Sequence, residues 1–308
     1  MIRLGFVGAV AFGVVLSAWA QEPSASGVPV ARAAPGQEAP PQGGAREIVL
    51  NRPFSRGEAY DLVFDLQGSG KGSFGIGEVT SGSSHKVSFR LEGRAKVLSV
   101  SERGEPTLLL FQVGTARLVQ EDKEKALDLD GAELGLSFPG GKPRFVRRDG
   151  KELPKKVLGL LPQVFPAPKE WDEDALLGPG RPVAPGESWS LSPESLGRML
   201  FTQEQEEMAR SARMEGTATF VGEETRDGLP GLLVRTKVKV TDLRIPKFVG
   251  TFAVEVTDDL WIAADRASHR SRRTTTTVTD LWGKILSGDG KSLDVKNKDT
   301  LTVQVEIR

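Results

Sequence analysis

The chain contains no cysteine. Without thiols there is no disulfide, no thiolate metal site and no cysteine nucleophile, so the folded part must be held by its own core. A bacterial lipoprotein also needs a cysteine at its cleavage position, so a thioether-linked lipid anchor is excluded. Histidine is nearly as scarce. His85 and His269 are the only two, each between a serine and a basic residue, and both read as exposed strand-end residues. No His-Glu-x-x-His or similar ligand spacing exists, so neither a metal site nor a cofactor is expected. There is no Asn-x-Ser/Thr site, because Asn51 precedes Arg52-Pro53 and Asn297 precedes Lys298-Asp299. Beyond the N-terminus no run is long and apolar enough to span a bilayer as a helix. Charge is balanced, with 41 basic and 41 acidic residues, so nothing draws the chain as a whole toward nucleic acid.

The first twenty residues carry a processing signal. Arg3 supplies the positive start, residues 4–16 are apolar and small, and Ala18-Trp19-Ala20 is a signal-peptidase site before Gln21. The run is short for a membrane anchor, which needs about 20 apolar residues. The expectation is a signal peptide over residues 1–20 and an exported bacterial protein, periplasmic or secreted. Residues 21–46 are rich in Pro, Ala, Gly and Ser, with almost no large apolar side chain. Such a stretch buries too little surface to offset its ordering entropy and is expected to be a disordered linker.

Residues 47–308 are expected to form one mainly β domain. Val87, Phe89 and Leu91 alternate with Lys86, Ser88 and Arg90. Tyr60, Leu62, Phe64 and Leu66 show the same period of two, as do Phe252, Val254 and Val256, and Leu301, Val303, Val305 and Ile307. One apolar and one wet face indicate antiparallel sheet covered on one side. The run from Lys86 to Val100 would extend about 50 Å at about 3.3 Å per residue. Strands of that length point to a curved sheet or half-barrel. Turn signals separate the runs, among them Arg103-Gly104-Glu105-Pro106 and Asp227-Gly228-Leu229-Pro230. A helical insert is expected at about residues 153–213. Val157, Leu158, Leu161, Val164 and Phe165 have helical spacing around Pro162, and Ser192-Pro193 reads as an N-cap with proline behind it. Leu196, Met199 and Leu200 follow as an apolar stripe. Residues 90–110 and 213–234 also echo each other, pairing for instance Glu92-Gly93 with Glu215-Gly216. A duplicated hairpin and two convergent hairpins both fit this echo.

No catalytic residues stand out. Gly186-Glu187-Ser188-Trp189-Ser190 lacks the final glycine of a nucleophile elbow. Gly68-Ser69-Gly70-Lys71-Gly72-Ser73 lacks the Lys-Ser/Thr step of a phosphate loop, and Gly290-Lys291-Ser292 lacks its leading glycine, so both read as hairpin loops. Asp128-Leu129-Asp130-Gly131 begins like a calcium loop but lacks the later ligands and reads as a turn. Arg270 and Arg272, continued by Thr274 and Thr276, read as a solvated strand face.

The stretch Val183-Ala184-Pro185-Gly186-Glu187-Ser188-Trp189 resembles a Val-x-x-Gly-Asp/Glu-x-Trp motif found in exported bacterial β-rich proteins of unknown function. In those proteins it stands between an N-terminal and a C-terminal set of strands, as the layout of residues 58–308 also suggests. The long-stranded plan resembles Lol-type lipoprotein carriers, in which a half-barrel wraps an apolar cavity beneath a short helix. That resemblance implies a non-enzymatic cell-envelope protein binding a lipid or other apolar ligand in its concave face. Trp189, Leu196, Met199 and Leu200 are then the candidate ligand-binding residues. The alternative is a structural or protein-interaction module of the envelope whose core is filled by those same side chains. A hydrolase with an unrecognised carboxylate pair is a third reading. A dry cavity of several hundred Å³ would favour the carrier.

Overall fold

In a computed structural model, the described residues are 44–308 without 77–78, 169–171, 202–205, 246–247 and 287–291. The expected signal peptide, and the expected linker up to residue 43, lie outside them. Gly290 and Lys291 do as well.

The first half of the chain forms β1 (Ala59–Ile76), β2 (Val79–Val100), β3 (Pro106–Gln120), the short β4 (Lys123–Lys125), β5 (Glu133–Ser137) and β6 (Arg144–Arg147). Helices α1 (Lys155–Val164) and α2 (Glu173–Leu177) follow, then β7 (Ser188–Leu191), α3 (Pro193–Leu200) and α4 (Glu206–Ser211). The chain closes with β8 (Arg213–Arg226), β9 (Leu229–Thr241), β10 (Phe248–Ala263), β11 (Ser271–Leu286) and β12 (Ser292–Ile307).

All twelve strands join one curved, unclosed antiparallel sheet in the order β6-β5-β3-β2-β1-β12-β11-β10-β9-β8-β7, with β4 paired to β3. The mainly β half-barrel of the sequence reading is therefore the observed fold. Walked from β7, the path climbs through β12, crosses to β1 and continues to β6. The two halves of the chain thus meet at a seam where β1 pairs with β12, Leu62 opposite Ile307 and Phe64 opposite Val305. The echoing segments fall on the hairpins β2–β3 and β8–β9, which run in the same sense along the sheet. Asp227 and Gly228, with φ of 49° and 77°, turn the second hairpin in two left-handed residues.

Period two decides which face is covered. Phe64, Leu66, Phe89, Leu91, Phe252 and Val254 all point to the concave face and are buried. The opposite face is wet and carries pairs such as Arg90 with Asp65 at 2.9 Å, worth little at such exposure. The concave face holds two separate apolar cores. The first packs α1 through Val157, Leu160, Leu161 and Val164 onto β1–β3 and β5. The second packs α3 through Leu196 and Leu200, with Ile48 and Leu50, onto β8–β10. The apolar stripe of α3 fits because residue 216 is glycine, where a Cβ would stand 2.9 Å from a Leu196 methyl.

Some local expectations need correction. Leu158 points to solvent at 41% exposure, because it lies about 100° round the helix from Val157 while Leu161 and Val164 return to the stripe. Within the expected helical insert, α3 ends at Leu200 and α4, Glu206–Ser211, is a separate turn and a half. Residues 68–73 are no hairpin loop but the middle of β1.

Candidate functional site

Where the two cores meet, neither helix closes the sheet. A cavity of about 150 Å³ opens over the seam. Its floor is Tyr60 and Leu62 of β1, Val305 and Ile307 of β12, and Leu260 and Ile262 of β10. Val164 and Phe165, at the end of α1, form one wall. Leu50, Asn51, Arg52 and Phe54 pass over it as a strap.

The strap is anchored at several points. Arg46 and Val183 exchange backbone hydrogen bonds of 2.7 and 2.9 Å. The backbone N–H groups of Leu50 and Asn51 donate to the two oxygens of Asp174, at 2.5 and 3.2 Å. Phe54 N–H donates to Gly104 O at 2.7 Å. Asp172 caps α2, accepting from Asp174 N–H at 2.8 Å, and so fixes the helix turn that carries Asp174. Burial raises the Asp174 pKa, against the two backbone donors that lower it.

Polar groups gather at one end of the cavity. Arg273 of β11 is held by Asp258 of β10: Nε donates to both carboxylate oxygens at 2.9 Å. Glu173 lies 3.6 Å away, and Thr275 Oγ1 donates to Asp258 at 2.6 Å. Burial works against the Arg273 charge, but Asp258 and Glu173 outweigh it and raise the guanidinium pKa. Two carboxylates thus face this one guanidinium, whose charge is fully paired. Tyr60 is different: burial raises its phenol pKa far above the ordinary value, so it stays neutral. His269 stacks on Phe54 at 4.1 Å between centroids, with Nε2 3.3 Å from Glu58. Its Nδ1 is buried without a hydrogen-bond partner. Arg52 donates from Nη2 to Ala263 O at 3.1 Å, while its Nε is buried and unpartnered.

Both histidines depart from the exposed strand-end reading. His85 is 9% exposed and faces Asp299 at 3.4 Å across β1. Asp299 reaches it because position 70 is glycine; a Cβ there would fall 1.7 Å from the carboxylate. Asn297 donates to the other oxygen of Asp299 at 2.5 Å. Burial raises the Asp299 pKa, with His85 and Asn297 pulling it down.

None of the four residues singled out from sequence lines the cavity. Leu196 and Leu200 are buried in the second core, and Met199 packs at its edge. Trp189 is half-buried on the same core and donates Nε1–H to Leu177 O at 2.9 Å. The preceding turn is built by Gly186, with φ 81°, and by Glu187, which accepts from Ala184 N–H at 2.9 Å and pairs with Arg181. The partner of one cavity-lining residue, Arg273, left a signal in the sequence. Asp258 interrupts the apolar phase of Phe252, Val254, Val256 and Leu260, and a charge in a buried phase demands a partner. Among the described residues no group of three or more metal-ligating side chains gathers, and no helix is long and apolar enough to cross a membrane.

No family model and no curated protein matches the chain. Among solved structures it is similar to a DUF1329 family protein from Desulfovibrio piger ATCC 29098, at 12% identity over 78% of this chain and 83% of that one. The TM-score is 0.11, too weak a likeness to inform fold or function.

Proposed function

We propose that this chain is an exported, non-enzymatic envelope protein that holds a lipid chain or another apolar ligand over the seam of its half-barrel. The observation that carries this reading is the cavity itself. The two halves of the concave face are filled by the protein's own side chains, yet Leu62, Leu260, Ile262, Val305 and Ile307 are left around open space. Apolar surface facing a void loses packing on one side, and an apolar ligand restores it. A cavity of about 150 Å³ takes a benzene-sized guest, so this one suits a short chain or the end of a longer one. The Ala18-Trp19-Ala20 site supports export, and the Val183-to-Trp189 turn supports placement among exported β-rich proteins. Mass spectrometry of lipids copurifying with the mature protein tests the reading. A stoichiometric acyl species is the expected result, and protein free of any apolar ligand from a lipid-rich host counts against it.

The second reading, an envelope interaction module with a self-filled core, draws on the packing of Leu196, Leu200 and Trp189 and on a cavity smaller than several hundred Å³. It predicts the same export and the same mature N-terminus at Gln21. It differs in predicting no apolar ligand.

A further inference from the structure

Trp282 stands on the wet face of the sheet. Of the three tryptophans described, Trp189 and Trp261 each donate Nε1–H to a backbone carbonyl at 2.9 Å. Trp282 is 67% exposed, and its indole N–H has no acceptor among the described residues. It lies near the far end of β11, where period two puts Trp282, Lys284 and Leu286 on the outer face. Val249 of β10 is opposite Lys284 in the ladder; it is 61% exposed, and Leu286 is 43% exposed. The same strands bury Phe252 and Leu281 on their concave side, so these outward side chains add nothing to a core.

Lysines surround this apolar group. Trp282 is opposite Lys296 of β12, and Lys296 is opposite Ser73 of β1. One step along the same face, Lys298 stands opposite Lys71, and both are exposed. Like charges directly opposite each other destabilise a sheet unless something offsets them. Among the described residues, the carboxylates at this end of the outer face are Asp294, which pairs with Lys284 at 3.7 Å, and Asp280, which is opposite Lys298. Neither Lys71 nor Lys296 has a carboxylate partner among the described residues. The patch is therefore apolar at its centre and positive beside it.

We infer that this end of the outer face docks the protein on the surface of an anionic bilayer. Tryptophan settles at headgroup level, because its ring is apolar and its N–H is satisfied by water. Trp282, with Val249 and Leu286, enters the headgroup region, and Lys71, Lys296 and Lys298 meet lipid phosphates. Lysines near an anionic leaflet are drawn to it, and lipid phosphate supplies the charge that the Lys71–Lys298 pair lacks. Three apolar side chains are few for a protein partner, since a stable protein interface takes about 20–30 residues a side. None of these residues lines the seam cavity, so the docking surface is separate from the proposed ligand site.

Cosedimentation of the full-length mature protein with lipid vesicles tests this. Vesicles of phosphatidylglycerol and phosphatidylcholine in equal parts are expected to bind at least about tenfold more tightly than phosphatidylcholine alone, and the binding should weaken with added salt. Trp282→Ser should weaken it at least about fivefold and leave the urea midpoint in place, because the side chain is exposed. Replacing both Lys71→Gln and Lys298→Gln should abolish the preference for phosphatidylglycerol. Val305→Phe, on the cavity floor, should bind vesicles as the parent does. If it loses them, the lipid contact belongs to the cavity, and this inference falls while the apolar-ligand reading stands. Equal binding to the two kinds of vesicle, or unchanged binding in Trp282→Ser, overturns it. So does a protein that ignores both vesicles, including one whose sedimentation coefficient depends on Trp282 and so assigns the patch to a contact between copies.

Discussion

Trp189 answers the question its motif poses. It is a clamp between a strand and the end of α2, with most of its surface covered and its indole N–H committed to Leu177 O. Trp189→Ala should cost about 3 kcal/mol, the low end for large aromatics, read as a shift in the urea midpoint. Benzene affinity should not move, since the indole does not line the cavity. Met199→Trp should likewise leave ligand binding untouched. Asp299 makes a separate case at this scale. Its pKa is raised in the fold, so the unfolded chain ionises first as pH rises through the ordinary aspartate value of 3.8. Stability is therefore lost between that value and the raised native one, and the loss is constant above it. Relative to the parent, Asp299→Asn should gain stability as pH rises from about 4 toward 7, the ordinary carboxylate range marking the start. A difference that is flat across denaturant titrations in this range would show that burial does not control this carboxyl.

At the scale of elements, each helix covers one half of the sheet with a single stripe. Leu161→Ala should therefore destabilise by about 3 kcal/mol, while Leu158→Ala, on the wet side of the same helix, should stay within about 0.5 kcal/mol. Thermal or urea unfolding of the pair checks the orientation of α1. The elements were largely legible in the sequence because their signals are local. Phe89 and Val303 alternate with polar neighbours, and Ser192-Pro193 marks the start of α3 by a cap whose hydroxyl does accept Ser195 N–H at 3.0 Å. Residues 68–73 were misread for a physical reason. Alternating glycines in a strand look like a loop until the side chains that need the space are known. Here these are Asp299 and Asn297, more than two hundred residues away. His85 was misread with them, since its partner comes from the same distant strand.

At the scale of the whole molecule, the decisive contact is the least local one. β1 and β12 join the beginning and end of the folded chain, and the cavity lies over that join. No periodicity reports which strands pair, so neither the seam nor the strap that crosses it could be read from the sequence, and candidate residues fell on the nearest apolar stripe instead. The topology also makes the two halves interdependent. A chain ending at Leu286 lacks β12, so β1 and β11 lose their shared partner; it should fail to give a cooperative melt by circular dichroism, and not leave one half folded. The apolar-ligand reading depends on the seam cavity itself. The most direct measurement is calorimetric binding of benzene, a guest of the cavity's own size, to the parent and to Val305→Phe, which fills the cavity from its floor. We expect saturable binding to the parent and at least about a tenfold loss in a Val305→Phe protein that melts within a few degrees of it, since one added ring costs about 1–3 kcal/mol at most where space exists. Equal binding to both proteins, or no binding to the parent, would contradict the account.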